Sequence, residues 1–160
     1  MVAMPLIKQI TVANEAETAG VATALGLLLD VKDILTLSGT LGAGKTSFAR
    51  ALIRSLCGAE TEVPSPTFNL LLTYENERAP IFHYDLYRLE DPEEVWELDI
   101  EDAYEEGITL IEWAKNLGDL APEGALDVEL SIPEDAKEGA RLISLSGPDS
   151  WHGRLKNLKS

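Results

Sequence analysis

Residues 39–46, "GTLGAGKT", combine the residue types that hold a phosphate group, at the spacing G-x-x-x-x-G-K-S/T. Glycines let the chain curl with little steric penalty, so that successive N–H groups point inward at an anion. The lysine at this spacing reaches the outer phosphates, and the hydroxyl that follows it binds Mg²⁺. The segment therefore predicts a phosphate-binding loop, although a glycine-rich turn is the simpler alternative.

The loop and the start of the segment that follows it supply the candidate phosphate contacts. These are Gly39, Leu41, Gly42, Ala43, Gly44, Lys45, Thr46 and Ser47. Lys45 is also a candidate catalytic residue because its charge can stabilise a reacting phosphate, and Thr46 is a candidate ligand of Mg²⁺.

Phosphate transfer or hydrolysis also needs a carboxylate that serves the metal or the attacking group. Asp85 in "IFHYDLYR" and Glu112 in "ITLIEW" each end an apolar stretch. Ligands gather at the carboxyl ends of the strands of parallel sheets, so either acid could lie beside the loop. Acids at strand ends often only face solvent, and the residues alone leave the choice between the two open.

Two basic side chains near Asp85 allow two interpretations each. His83 points to the same face of its strand as Asp85, and could share a metal with it or be a hydrogen-bonded structural histidine; we favour the second. Arg88 could act on a phosphate or form a surface ion pair with Glu90 or Asp91, and again we favour the second.

Three further residues near these acids are also ambiguous. Thr67 is either a residue that senses the outer phosphate or the first residue of a strand. Trp96 and Trp113 are interpreted as packing residues.

The elements that must position these residues alternate between strand and helix patterns. Strands are predicted over 7–12, 33–39, 68–74, 80–87, 108–114, 125–132 and 140–147. Helices are predicted over 15–29, with Asn14 as cap, over 45–57, once or twice within 91–107, and as a basic tail over 150–160. Short connections make 68–74 and 80–87, and also the last two strands, antiparallel pairs. The pattern predicts one α/β domain over residues 1–160, with three layers and a mixed central sheet.

Composition limits the possible partners. The chain of 160 residues has 28 acids and 13 Lys and Arg residues, a net charge of -15. This balance argues against broad contact with a nucleic-acid backbone, which needs many basic side chains. The single cysteine excludes an internal disulfide framework. With no leader pattern and no long apolar stretch, we expect a cytoplasmic protein without membrane contact.

Four stretches, in order and at matching intervals, resemble the bacterial TsaE (YjeE) family. They are "LGAGKTSFARAL", "VPSPTFNLLLTY", "HYDLYRLEDPEEVWELDIEDAY" and "LIEWA". The resemblance implies a P-loop NTPase-like fold, binding of ATP with Mg²⁺, and weak ATP hydrolysis. It also implies action on a heterodimer of the TsaB and TsaD proteins, which the ATP cycle resets between rounds of threonylcarbamoyladenosine formation in tRNA. The tRNA itself would be met only through that complex.

The same resemblance implies roles for individual residues. Thr46 and Glu112 would hold Mg²⁺, and Asp85 would be a catalytic or metal-associated acid. Thr11 and Glu15 would lie near the base of the nucleotide. Ser65 and Thr67 would belong to a switch segment. Trp113 would lie near the nucleotide or the partner.

Two other classes of protein share a loop of this kind. A small-molecule kinase is the main alternative, but it usually needs several arginines to clamp its acceptor. Outside the segment after the loop, the arginines are few: Arg78, Arg88, Arg141 and Arg154. A GTP-dependent switch would need a base-reading motif of the N-K-x-D type, which the sequence lacks.

Overall fold

The computed structural model describes residues 4–40 and 42–158. Seven strands form one sheet: β1 (Leu6–Val12), β2 (Ile34–Gly39), β3 (Leu71–Tyr74), β4 (Ile81–Asp85), β5 (Ile108–Glu112), β6 (Leu126–Ser131) and β7 (Arg141–Ser146). The α-helices are α1 (Glu15–Gly26), α2 (Lys45–Cys57) and α3 (Ile100–Glu106). Short 3₁₀ helices span Pro92–Leu98, Ala114–Leu120 and Asp149–Trp151. The second of these is interrupted at Gly118, whose backbone is not helical (φ 53°, ψ -123°).

The strand order across the sheet is β1-β7-β6-β2-β5-β4-β3. The four central strands, β6, β2, β5 and β4, run parallel. At the edges, β7 pairs antiparallel with β6, β1 pairs antiparallel with β7, and β3 pairs antiparallel with β4. Glu112 pairs with Leu37 on one side and with Asp85 on the other. The ends of β2, β5 and β4 therefore meet at one edge of the sheet, where the loop after Gly39 begins.

Helices cover both faces of this sheet, as the sequence predicted. In β2, Leu35 and Leu37 pack into the core beneath α1 and α2, whereas Ile34 packs into a second core. The second core lies under α3 and the 3₁₀ helices Pro92–Leu98 and Ala114–Leu120. The mixed sheet between two helical layers confirms the predicted fold class. No helix within the described residues is long and apolar enough to cross a membrane.

The first helix and the third strand are shorter than predicted. α1 begins after the predicted cap Asn14, whose side chain accepts a hydrogen bond from the Glu17 N–H. It ends at Gly26 instead of residue 29 because the next residues turn, with the Leu28 N–H bonded to the Leu25 carbonyl. β3 begins at Leu71 instead of residue 68 because residues 67–70 form a turn.

The segment after β4 agrees with the sequence prediction, whereas β5 is shorter than predicted. The one or two helices predicted within 91–107 are two, a 3₁₀ helix and then α3, separated by Asp99 in the left-handed region (φ 58°). The strand predicted to reach residue 114 ends at Glu112 because Trp113 has a φ of 63°.

The predicted basic tail helix is wrong. Residues 149–151 form a 3₁₀ helix and residues 152–157 form turns, while residues 159–160 lie outside the described part. Trp151 fixes this segment to the body, because its indole N–H donates to the Gly124 carbonyl over 3.0 Å.

Candidate active site

The glycine-rich loop turns sharply from the end of β2 into α2. Gly39 has a φ of 130°, and a Cβ atom there would lie 2.1 Å from the Leu130 carbonyl oxygen of the neighbouring strand. Gly44, with a φ of 102°, is the N-cap of α2 and accepts a hydrogen bond from the Phe48 N–H. Both positions require glycine, because a side chain would strain the backbone or collide with it. The loop therefore ends at the N-terminus of α2, which is the positive end of the helix dipole. Leu41 lies outside the described residues.

Lys45, the first residue of α2, is buried and points back under the loop. Its ammonium group donates to the carbonyl oxygens of Gly39 and Thr40, at 2.9 and 3.1 Å, and lies 4.3 Å from the centre of the Trp113 indole. Burial lowers the pKa of Lys45, and the negative charges of Glu112 and Asp85 partly oppose this change. Phosphate oxygens can replace the two carbonyls as acceptors and restore a close negative charge.

Glu112 joins the helix to the sheet through both of its carboxylate oxygens. The Thr46 hydroxyl donates to Oε1 over 2.9 Å, and His83 Nε2 lies 2.7 Å from Oε2. His83 and Glu112 are 0% and 2% exposed. The structure thus supports His83 as a hydrogen-bonded residue instead of a metal partner of Asp85.

Asp85 holds two segments of chain at the mouth of the site. The Thr67 hydroxyl donates to Oδ2 over 2.9 Å, and the Tyr87 N–H donates to Oδ1 over 3.1 Å. Ser65 joins the same hydrogen-bond network, since its hydroxyl lies 2.6 Å from that of Thr67. A turn that ends just before β3 fixes the backbone around Thr67. In it, the Leu70 N–H donates to the Pro66 carbonyl over 2.6 Å, and Leu70 has a φ of 66°.

These groups surround one cleft of about 440 Å³. The lining residues are Gly42, Gly44, Lys45, Thr46, Ser47, Thr67, Asp85, Tyr87, Glu112 and Trp113. The structure thus brings the loop and both candidate acids together.

A second, smaller cleft of about 210 Å³ lies on the other side of the loop. It is lined by Glu15, Thr18, Gly42, Ala43, Gly44, Ser47, Gly139 and Arg141. Glu15 is therefore close to the loop, whereas Thr11 is exposed on β1 and is not among the lining residues.

Sequence reasoning missed Arg141, whose Nε donates to the Ala43 carbonyl over 2.9 Å. No local pattern marks it, because β7 brings it to the loop from 98 residues further along the chain. Its only signal is that arginines are rare in this sequence.

Three interpretations of single residues change with the structure. Trp113 lines the cleft, so it does more than pack. Trp96 is 50% exposed, and its interpretation as a packing residue is wrong. Arg88 forms no ion pair with a described residue; its guanidinium lies 4.4 Å from the centre of the Phe68 ring instead.

The oxygen atoms in the cleft suit a hard cation. Thr46 and Glu112 offer a hydroxyl and a carboxylate side by side, which Mg²⁺ prefers over nitrogen or sulfur ligands. No group of three or more His, Cys, Asp or Glu side chains within the described residues could hold a metal by itself. This is the donor set expected for Mg²⁺ bound by one or two protein groups together with phosphate oxygens.

Comparison with known families decides the relationship of the chain. The sequence model described as "Threonylcarbamoyl adenosine biosynthesis protein TsaE" matches residues 12–142, which include the loop and both carboxylates. The chain belongs to the TsaE family.

Individual TsaE proteins are similar over most of the chain. A protein from Rickettsia felis, named tRNA threonylcarbamoyladenosine biosynthesis protein TsaE, is 42% identical over 86% of this chain and 80% of its own. A protein of the same name from Bacillus subtilis is 37% identical over 90% of this chain and 94% of its own.

The fold of the TsaE chain also has a match among solved structures. The crystal structure of YdiB from Bacillus subtilis covers 99% of this chain and 97% of its own, with a TM-score of 0.76 and 24% sequence identity. The likeness shows that the two chains share a fold.

Proposed function

We propose that this TsaE-family chain binds ATP with Mg²⁺, hydrolyses it slowly, and serves the formation of threonylcarbamoyladenosine in tRNA. The observation that carries the nucleotide part is the arrangement around α2. Lys45 and the Thr46–Glu112 hydrogen bond lie at the positive end of this helix, against a glycine loop. The names of the related proteins support the tRNA part.

In this proposal each group of the cleft has a separate task. The N–H groups of the loop and Lys45 bind the phosphates, and Thr46 and Glu112 hold the metal. Bound Mg²⁺ supplies positive charge that neutralises the phosphate oxygens. Asp85 orients an attacking water. We assign it this role because hydrogen bonds from Thr67 and Tyr87 already fix its carboxylate.

His83 has a positioning role in the same site. By holding Oε2 of Glu112, it leaves Oε1 directed at Thr46. Glu15 and Arg141 line the smaller cleft on the other side of the loop. We assign that cleft to the nucleoside end of ATP, and leave Thr11 without a contact in this assignment.

We further propose that the ATPase acts on the TsaB–TsaD heterodimer and meets tRNA only through it. The net charge of -15 supports this view because an acidic surface repels a nucleic-acid backbone. Since tRNA modification of this kind acts on cellular tRNA, we place the protein in the cytoplasm. The single sheet of seven strands supports one domain as the working unit.

The small-molecule kinase remains less favoured because none of the described arginines lines the cleft that holds Lys45, Asp85 and Glu112. Arg78 donates to the Leu29 carbonyl and Arg154 pairs with Asp33, at the edge where β2 begins. Arg88 stacks on Phe68 outside the lining of the cleft.

The test compares ATP hydrolysis by the purified chain alone, with the TsaB–TsaD heterodimer, and with small phosphate acceptors. We expect slow, Mg²⁺-dependent hydrolysis that the heterodimer stimulates. Stimulation by a small acceptor, with a phosphorylated product and no response to the heterodimer, would instead establish a kinase.

A further inference from the structure

Three exposed side chains form a patch beside the cleft: Phe68, Tyr87 and Arg88. Phe68 is 78% exposed and Tyr87 is 54% exposed. The Arg88 guanidinium covers the Phe68 ring at 4.4 Å, and the Tyr87 ring lies 4.9 Å from that of Trp113. Aromatic and arginine side chains of this kind are enriched at protein interfaces, where they bury a large area at small entropic cost. We refer to Phe68, Tyr87 and Arg88 as the aromatic patch.

Asp85 connects the aromatic patch to the cleft. One of its oxygens accepts from Thr67, which immediately precedes Phe68, and the other accepts from the N–H of Tyr87. Both strips of chain that carry the patch are therefore fixed by a single buried carboxylate. Since Asp85 also lines the cleft, a ligand that displaces this carboxylate or Thr67 must also move the patch.

The segment after the patch is strongly acidic. Residues 90–97 contain no Lys or Arg, and their exposed acids are Glu90, Asp91, Glu93, Glu94 and Glu97. A surface with exposed rings followed by a block of negative charge is complementary to a basic protein surface that carries an apolar pocket. It repels a nucleic-acid backbone for the same electrostatic reason.

We propose that the aromatic patch and the acidic segment 90–97 together dock a partner protein with a basic, apolar-bearing surface, and that Asp85 couples docking to the nucleotide. The inference rests on the proposed function, in which that partner is the TsaB–TsaD heterodimer. Coupling through Asp85 is reciprocal: if bound ATP tightens docking, docking tightens ATP binding by the same factor.

The first test measures the affinity of the purified chain for the TsaB–TsaD heterodimer, with ATP and Mg²⁺ present. We expect Phe68→Ser to weaken docking by at least about 10-fold, as for a central aromatic contact. The ATPase rate of the isolated variant should stay unchanged, because Phe68 does not line the cleft. Leu27→Ser is the matched control, since Leu27 is 59% exposed and lies beyond the end of α1.

The second test addresses charge. Glu93→Lys combined with Glu97→Lys should weaken docking at low salt and flatten its dependence on salt concentration. Glu105→Lys with Glu106→Lys makes the same change of charge in the last turn of α3, just before β5 begins, and should leave docking unchanged.

The third test addresses coupling to the nucleotide. Thr67→Val removes the hydrogen bond to Asp85 while keeping the shape of the side chain. We expect it to reduce the ratio of docking affinities measured with and without ATP. An unchanged ratio would show that Asp85 does not couple the two sites.

The outcomes separate the docking surface from the proposed function. If the unaltered chain binds the heterodimer and the Phe68 and Glu93/Glu97 variants bind equally well, the docking surface is wrong and the function stands. If the unaltered chain does not bind the heterodimer with or without ATP, the partner and the docking surface are both wrong. If the chain alone binds tRNA and Phe68→Ser abolishes that binding, the surface serves RNA instead.

Discussion

At the residue scale, Glu112 is the side chain on which the cleft depends most. Its two oxygens join Thr46 on α2 to His83 on β4, while the carboxylate stays buried next to Lys45. A buried charge of this kind is tolerated only when every oxygen has a donor and a cation lies nearby. Asp85 meets the same requirement, but its donors differ, because they come from the segments that carry the aromatic patch.

Exchange of the two acids for their amides tests this separation. Glu112→Gln should lower the affinity for Mg²⁺ and slow hydrolysis on the order of 100-fold, because the metal loses a charged ligand. Asp85→Asn should slow hydrolysis with a much smaller change in the half-saturating Mg²⁺ concentration. The measurement is the ATPase rate as a function of Mg²⁺ concentration, and reversed effects of the two variants would assign the metal to Asp85.

His83 should act through the orientation of Glu112 and not through contact with the nucleotide. His83→Leu removes the donor to Oε2 and should reduce hydrolysis by about 10- to 100-fold, mainly through weaker Mg²⁺ binding. His83→Gln can still donate from its amide and should restore most of the activity. Equal Mg²⁺ titrations for the Leu and Gln variants would show that His83 only fills space.

How far single residues could be predicted depends on whether the signal is local. The loop glycines, Lys45 and Thr46 form one motif, so their placement followed from spacing alone. Arg141 reaches the loop through β7, and the ring contact of Arg88 depends on the turn that exposes Phe68. Long-range strand pairing decides both, and a single sequence carries little information about it.

At the element scale, the junction of β2 and α2 was predictable because it lies between two glycines, Gly39 and Gly44. α2 spans Lys45–Cys57 as predicted, between Gly44 and Gly58. The 3₁₀ helix Ala114–Leu120 was missed because its start depends on Trp113 in the left-handed region, which bulky residues rarely adopt. Local propensity fails where tertiary packing enforces such a conformation.

The junction predicts unequal effects of two glycine substitutions. Gly39→Ala should destabilise the fold by more than about 2 kcal/mol and abolish ATP binding, since its Cβ meets the Leu130 carbonyl and its φ is positive. Gly20→Ala, in α1 with nothing within 4 Å of the added Cβ, should stabilise by about 0.5–1 kcal/mol. Chemical unfolding of both variants provides the comparison, and similar stabilities would contradict the strained role of Gly39.

At the scale of the whole molecule, pH should affect stability partly through a carboxyl group beneath the loop. Asp127 on β6 accepts hydrogen bonds from the Thr36 and Ser38 hydroxyls of β2, at 2.7 and 3.0 Å. Burial raises the pKa of Asp127, and the two hydrogen bonds partly oppose the rise. The folded chain therefore binds this proton more tightly than the unfolded chain does.

The sign of the pH effect follows from that difference. Stability that Asp127 contributes at low pH is lost as pH rises from the ordinary pKa of an aspartate through its raised value. Asp127→Asn has no titrating group at this position, so the free energy of unfolding of the variant, minus that of the unaltered chain, should increase as pH rises above the ordinary pKa of an aspartate. Urea unfolding at several pH values measures it, and a constant or falling difference would contradict the raised pKa.

The most direct measurement of the central claim is a calorimetric titration of ATP, with Mg²⁺, into the purified chain and its Lys45→Ala variant. The buried ammonium group should contribute about 3 kcal/mol to phosphate binding, which is on the order of 100-fold in affinity. We therefore predict one ATP bound per unaltered chain and binding weaker by about that factor in the variant. Equal affinities, or no binding of ATP by the unaltered chain, would contradict the account.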